Sequence, residues 1–86
     1  MKMIISIFKD SDADAVTQAL TSAGFRMTRV ASTGGFLKRG ATTFLVGVED
    51  DKVEVAIALM KEKTTASPGE QRATIFVVPV ERFEQI

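Results

Sequence analysis

The sequence contains no cysteine, histidine, tryptophan or tyrosine. Without cysteine there is no disulfide framework, zinc ribbon, redox pair or thiol nucleophile, and without histidine the commonest metal ligand and the commonest general base are both missing. Most enzyme chemistry at neutral pH is therefore excluded. An excess of charge of either sign is lacking too, because 11 Lys plus Arg stand against 11 Asp plus Glu and the pI is near 6.2. That balance supplies no electrostatic footprint for nucleic acid or an anionic membrane, so neither is expected as a partner. Long apolar runs are absent as well. The apolar stretch after Lys2 ends at Lys9 and Asp10, well short of a signal sequence or a membrane span. With no lipidation pattern, the expected compartment is the cytoplasm.

What remains is ordinary globular material, 45% hydrophobic and 26% charged, in 86 residues, enough for one domain spanning 1–86. A chain this short buries only about 60–65% of its unfolded surface on folding, which favours association with further copies. Residues 3–8 are rich in Ile and predict a strand apolar on both faces. Asp10, Ser11, Asp12 and Asp14 then gather at a helix start, with Ser11 and Asp14 at capping-box spacing and negative charge at the favourable end of the helix dipole. Val16, Leu20 and Ala23 form the apolar stripe, and Gly24 offers the left-handed residue that ends the helix. From Phe25 to Ser32 the pattern alternates, with Phe25 and Met27 on one face and Arg26, Thr28 and Val30 on the other. A glycine-punctuated loop over 33–40 leads into a strand over 42–49, in which Phe44, Val46 and Val48 oppose Leu45 and Gly47. Glu49, Asp50 and Asp51 open a second helix with Val53, Ile57 and Met60 as its stripe. A short polar connector over 64–72 precedes a last strand over 73–80, whose Pro79 fits a sheet edge or a strand end, and residues 81–86 form a tail.

The order strand, helix, strand, strand, helix, strand predicts an α+β fold, the ferredoxin-like βαββαβ sandwich, with the first and third strands central. Two helices cover one face of such a sheet, so a monomer should present polar residues on the other. Here Ile5 and Ile7, or Phe76 and Val78, oppose Ile4 and Phe8, or Ile75 and Val77, so both faces are apolar. An uncovered face of that kind exceeds the apolar patch usual on a soluble monomer, and an oligomer that buries the open faces together is expected.

The motifs carry both plain and functional readings. Asp10, Asp12 and Asp14 sit at the first, third and fifth positions of a calcium loop, but Ala15 and Thr21 replace its glycine and its final glutamate, so these carboxylates are assigned to helix capping. The run from Gly35 to Gly40 is a near miss to a phosphate loop: Ala41 stands where the lysine belongs, and the segment joins two strands. It is a solvated hairpin loop or a ligand loop. For the second reading, glycine amides converge on an anion, Phe36 and Leu37 face a flat heterocycle, and a nearby arginine meets a phosphate. Phe36, between Gly35 and the Lys38–Arg39 pair, has no evident core to join and is an interface anchor or a ligand contact.

Three stretches carry a family likeness: Phe25-Arg26-x-Thr28; the run from Thr33 through Gly34-Gly35-Phe36-Leu37-Lys38 and Thr42-Thr43-Phe44 to Gly47-Val48-Glu49-Asp50; and Ala73-Thr74-x-Phe76-Val77-x-Pro79-Val80 with Phe83 and Gln85. Together they resemble the PII-like cyclic di-AMP receptor family over nearly the whole chain. The resemblance implies a cytoplasmic bacterial signal transduction protein, not an enzyme, with the ferredoxin-like fold. It also implies a homotrimer that binds cyclic di-AMP in its inter-subunit clefts, needs no cofactor, and passes its signal to an unnamed downstream protein.

Carried over by position, the resemblance implies ligand contacts from Arg26 and Thr28, wrapping of base and phosphate by Gly35, Phe36 and Leu37, close approach at Gly47, and completion of the pocket by Phe76 and Gln85. Neither catalytic nor metal-binding residues are implied. The chain departs from the pattern at Gly24 and Ala41, where the family usually carries Asn, and in the short connector over 64–72. Lost amides remove paired hydrogen bonds to an adenine edge. Two functions are consistent with this pattern. One is a nucleotide-sensing trimer, with cyclic di-AMP first and another adenine nucleotide second. The other is a PII-like trimeric regulatory scaffold that has lost cyclic di-AMP and acts by protein contact.

Overall fold

The computed structural model describes residues 1–30, 40–66 and 68–86. Four strands and two helices alternate in the expected order: β1 (Lys2–Lys9), α1 (Ala13–Ser22), β2 (Met27–Val30), β3 (Ala41–Val48), α2 (Val53–Lys63) and β4 (Ala73–Pro79). A short 3-10 turn precedes each helix, Asp10–Asp12 before α1 and Asp50–Lys52 before α2. The sheet order is β2-β3-β1-β4 with every neighbouring pair antiparallel, which is the ferredoxin-like topology.

Register divides the residues between the two faces. Opposite partners in an antiparallel pair point to the same side, and side chains alternate along each strand. One face therefore carries Ile4 with Val46 and Met27, Ser6 with Phe44, and Phe8 with Thr42. Val16 and Leu20 of α1 and Ala56 and Met60 of α2 close over it, and Ile4, Leu20, Phe44 and Val46 are fully buried. Phe8 and Phe44 meet edge to face, with ring centroids 4.7 Å apart at 79°. Burial of such aliphatic and aromatic groups stabilises by about 1.5–3 kcal/mol each and drives the fold.

The other face carries the cross-strand row Thr28, Leu45, Ile5, Phe76 and the row Val30, Thr43, Ile7, Thr74. Phe76 remains 54% exposed there, Val30 is exposed, and Ile5, Ile7 and Leu45 are half-buried. The pattern of two apolar faces is thus realised in three dimensions, and the helices serve only one of them.

Local geometry sets the chain's path at each end of α1. At its C-terminal end, Gly24 takes φ +87, its N–H donates to Thr21 O at 3.0 Å and the Phe25 N–H donates back to Leu20 O at 3.0 Å. This is a Schellman stop, and it draws Phe25 out of the expected strand, so that β2 begins at Met27. Ala23, expected in the buried stripe, is exposed, while Ala13 takes the buried place at the other end of the helix. At the start of α1 the acids do not cap. Asp12 already has helical φ −94 and ψ −10 because it is the last residue of the 3-10 turn, whereas a capping side chain needs extended backbone at that position. Its carboxylate instead accepts from the Thr65 N–H at 3.1 Å and the Thr65 hydroxyl at 3.1 Å, and Asp10 accepts from the Thr42 hydroxyl.

Candidate functional site

Among the described residues, two concavities lie toward opposite ends of β3. The smaller, about 420 Å³, sits where the stop of α1 meets the end of β3 and the start of α2; Gly24, Arg26, Gly47, Glu49, Lys52 and Val55 are among the residues around it. The sheet order explains the meeting. β2 and β3 are paired with Met27 opposite Val46, so the residue before Met27 arrives beside the residue after Val46. Arg26 and Gly47, remote in sequence, thus line one cavity. Gly47 is exposed, and a Cβ added there or at Gly24 would meet nothing within 4 Å, so both leave open backbone at the cavity wall. Such backbone admits the close approach of a planar group or a phosphate.

The larger trough, about 1000 Å³, runs along the open face of the sheet. It is bounded by Ile5 and Ile7 of β1, Phe76 of β4, Gly40 and Ala41 before and at the start of β3, and residues 70–72. Lys9 at its rim is ion-paired with Glu70. Thr43 is buried in its wall, and its hydroxyl has no hydrogen-bond partner among the described residues.

The structure therefore distributes the expected site residues. Arg26 and Gly47 come together in the smaller cavity, and Phe76 lines the trough. Thr28 is exposed on the open face, in the same cross-strand row as Phe76. Gln85 lies in the exposed tail and lines neither cavity. Gly35, Phe36 and Leu37 lie outside the described residues. Of the two departures, Gly24 lines the small cavity and Ala41 lines the trough. Sequence reasoning missed Lys52, which a helix-start pattern hides and only the folded chain brings to the same cavity as Arg26.

Charge in the small cavity is uneven. The chain's amino terminus, at Met1, is held by Asp50 at 3.1 Å, and the amine's hydrogen bond and charge, with Lys2 adding, keep the Asp50 carboxyl below its ordinary 3.8 against a small opposing effect of desolvation. The remaining charged groups are Arg26, Lys52 and the single carboxylate of Glu49. Among the described residues no cluster of three or more acids is placed to hold a metal ion, and no helix is long and apolar enough to cross a membrane.

A ferredoxin-like sheet with one apolar face left open and a cation beside exposed glycine backbone defines a small α+β module suited to receiving a ligand. Residues 1–72 match the cyclic-di-AMP receptor family, and the chain belongs to that family. The match ends before β4, so Phe76 and Gln85 fall beyond it. Among solved structures, a crystal structure of a functionally unknown protein from Pediococcus pentosaceus ATCC 25745 is similar over 99% of this chain and 96% of that one. Their identity is 30% and the TM-score is 0.80.

Proposed function

We propose that the protein is a PII-like trimer that binds cyclic di-AMP in clefts between subunits and signals through the resulting change in its loops, making and breaking no covalent bond. Family membership supports the ligand class. The observation that carries the reading is the convergence of Arg26 and Gly47 in one cavity, a cation beside open backbone, from segments that the fold alone unites. A guanidinium there can take a phosphate by two parallel hydrogen bonds.

The spacing along β3 supports the part played by a second copy. Ala41 and Gly47 are separated by about 20 Å at the rise of an extended strand, so the groups at the two ends of β3 in one subunit are poorly placed to grip one small ligand. Closing the open face of the sheet against a neighbour would bring the Gly47 end of one subunit toward the Ala41 end of another. It would also bury Ile5, Leu45 and Phe76. Ligand binding then shifts the loop population by its differential affinity for the two arrangements. A scaffold that acts without ligand is the competing function, favoured by Gly24, which has no side chain, and Ala41, which has only a methyl, so that neither cavity gains an amide from them.

A thermal-shift panel of cyclic di-AMP, cyclic di-GMP, ATP, ADP and AMP separates the two. At about one hundred times its dissociation constant a ligand stabilises by about 2.7 kcal/mol, a readily measured rise in melting temperature. The expected result is a rise with cyclic di-AMP above all others. No rise with any of the five would support the scaffold.

A further inference from the structure

We infer that Lys52 is a second phosphate contact of the small cavity, acting beside Arg26; this rests on the cyclic di-AMP reading above. Lys52 ends the 3-10 turn and stands at the start of α2, where the helix dipole disfavours a cation. No ion pair among the described residues compensates it. Lys9 pairs with Glu70, Arg29 with Asp14, Lys63 with Glu62 and Arg82 with Glu84, and Lys2, Lys61 and Arg72 have no ion pair among the described residues but lie outside the small cavity; the side chains of Lys52 and Arg26 also have no hydrogen bond or ion pair among the described residues. Both line the same cavity.

The charge inventory of that cavity gives Lys52 its role. The amino terminus is neutralised by Asp50, so the groups that face a guest are Arg26, Lys52 and Glu49. Without Lys52, Glu49 would cancel Arg26, and a dianionic cyclic dinucleotide would enter a site with no net attraction. With it, the cavity is positive, and a point charge on a flexible stem stands beside the planar fork of the arginine. Two cations of different geometry suit the two phosphates of a cyclic dinucleotide, or two oxygens of one of them. Open backbone at Gly24 and Gly47 lets the ligand come close enough for either contact.

Calorimetric titration of the full chain with cyclic di-AMP tests this. Lys52→Gln is expected to weaken binding about tenfold or more, the usual loss for a charge-assisted contact. It should also flatten the dependence of affinity on salt between about 0.05 and 0.3 M, over which exposed charges are progressively screened. Lys52→Arg keeps the charge and is expected to hold affinity within about threefold. Lys61→Gln, the same charge loss at an exposed position lining neither cavity, should leave binding unchanged. If the parent binds and Lys52→Gln binds equally well with the same salt dependence, the assignment of Lys52 is overturned while the receptor function stands. An equal loss in Lys52→Gln and Lys61→Gln would overturn it too, by pointing to net charge instead of contact. A parent chain that binds no cyclic di-AMP would remove the function itself and the assignment with it.

Discussion

The two strand-to-helix junctions look alike in sequence and do different work. Each runs from an apolar strand through an acidic 3-10 turn into a helix, Lys9 to Ala13 in the first half and Glu49 to Val53 in the second. At the first junction the acids reach outward to distant chain. Asp12, only 6% exposed, holds Thr65 in the connector before β4, Asp10 holds Thr42, and the Asp10 N–H donates to Gly40 O at 2.8 Å. Lys9 adds its ion pair with Glu70. The connections that lead into β3 and β4 are thus both tied to one short segment. At the second junction the acids are exposed, and Asp50 holds only the chain's own amino terminus. Similar charge patterns therefore give a structural knot in one place and the rim of the small cavity in the other. Burial, not sequence, distinguishes them.

This contrast can be broken by substitution at a fixed protein concentration, since an oligomer's stability depends on it. The largest effect is expected from Asp12→Ala, which removes two hydrogen bonds to a buried carboxylate and should cost about 1–3 kcal/mol. A lower urea midpoint with an unchanged slope would show it, and a double-mutant cycle with Thr65→Val should return a coupling of at least about 0.5 kcal/mol. A midpoint equal to the parent's would mean that the knot contributes nothing. Asp10→Ala is expected to cost less, about 1 kcal/mol, because Thr42 is buried but Asp10 is exposed. An unfolding midpoint lower than that of Asp12→Ala would reverse the order assigned to the two acids.

The smallest effect belongs to the second junction. Asp50 has its carboxyl pKa lowered on folding, so whatever stability it adds is present above its ordinary value of 3.8 and is lost as pH falls through the depressed folded value. The group is fully exposed, so solvent screens the pair and Asp50→Asn should unfold like the parent. Side-chain titration by NMR should still place Asp50 below 3.8. Titration at or above that value would sever it from the amino terminus.

The same two junctions separate what the chain reveals before folding from what it hides. Strand and helix order is legible in the Ile-rich run from Ile4 to Phe8, the alternation from Phe44 to Val48 and the spacing of Val16 and Leu20, although polar Ser6 is fully buried while Ile5 and Ile7 are half-buried. Gly24 as a helix stop was legible too, since few other residues tolerate its backbone angle. The role of Asp12 was not. Its partner lies 53 residues away, and the local rule that acids cap helices applies only when the backbone before the helix is extended. Arg26 and Gly47 entered as ligand residues through a family likeness, and their meeting required the β2–β3 register. Lys52 had no sequence signature because a lysine after three acids is ordinary until the fold shows that none of them holds it.

Assembly is the premise of the proposed ligand site, since the two cavities lie toward opposite ends of β3 and one sheet face is left bare. Sedimentation equilibrium of the full chain in dilute buffer tests it most directly. The account predicts a particle of three times the 9.3 kDa chain mass, while a folded 9.3 kDa monomer would contradict it.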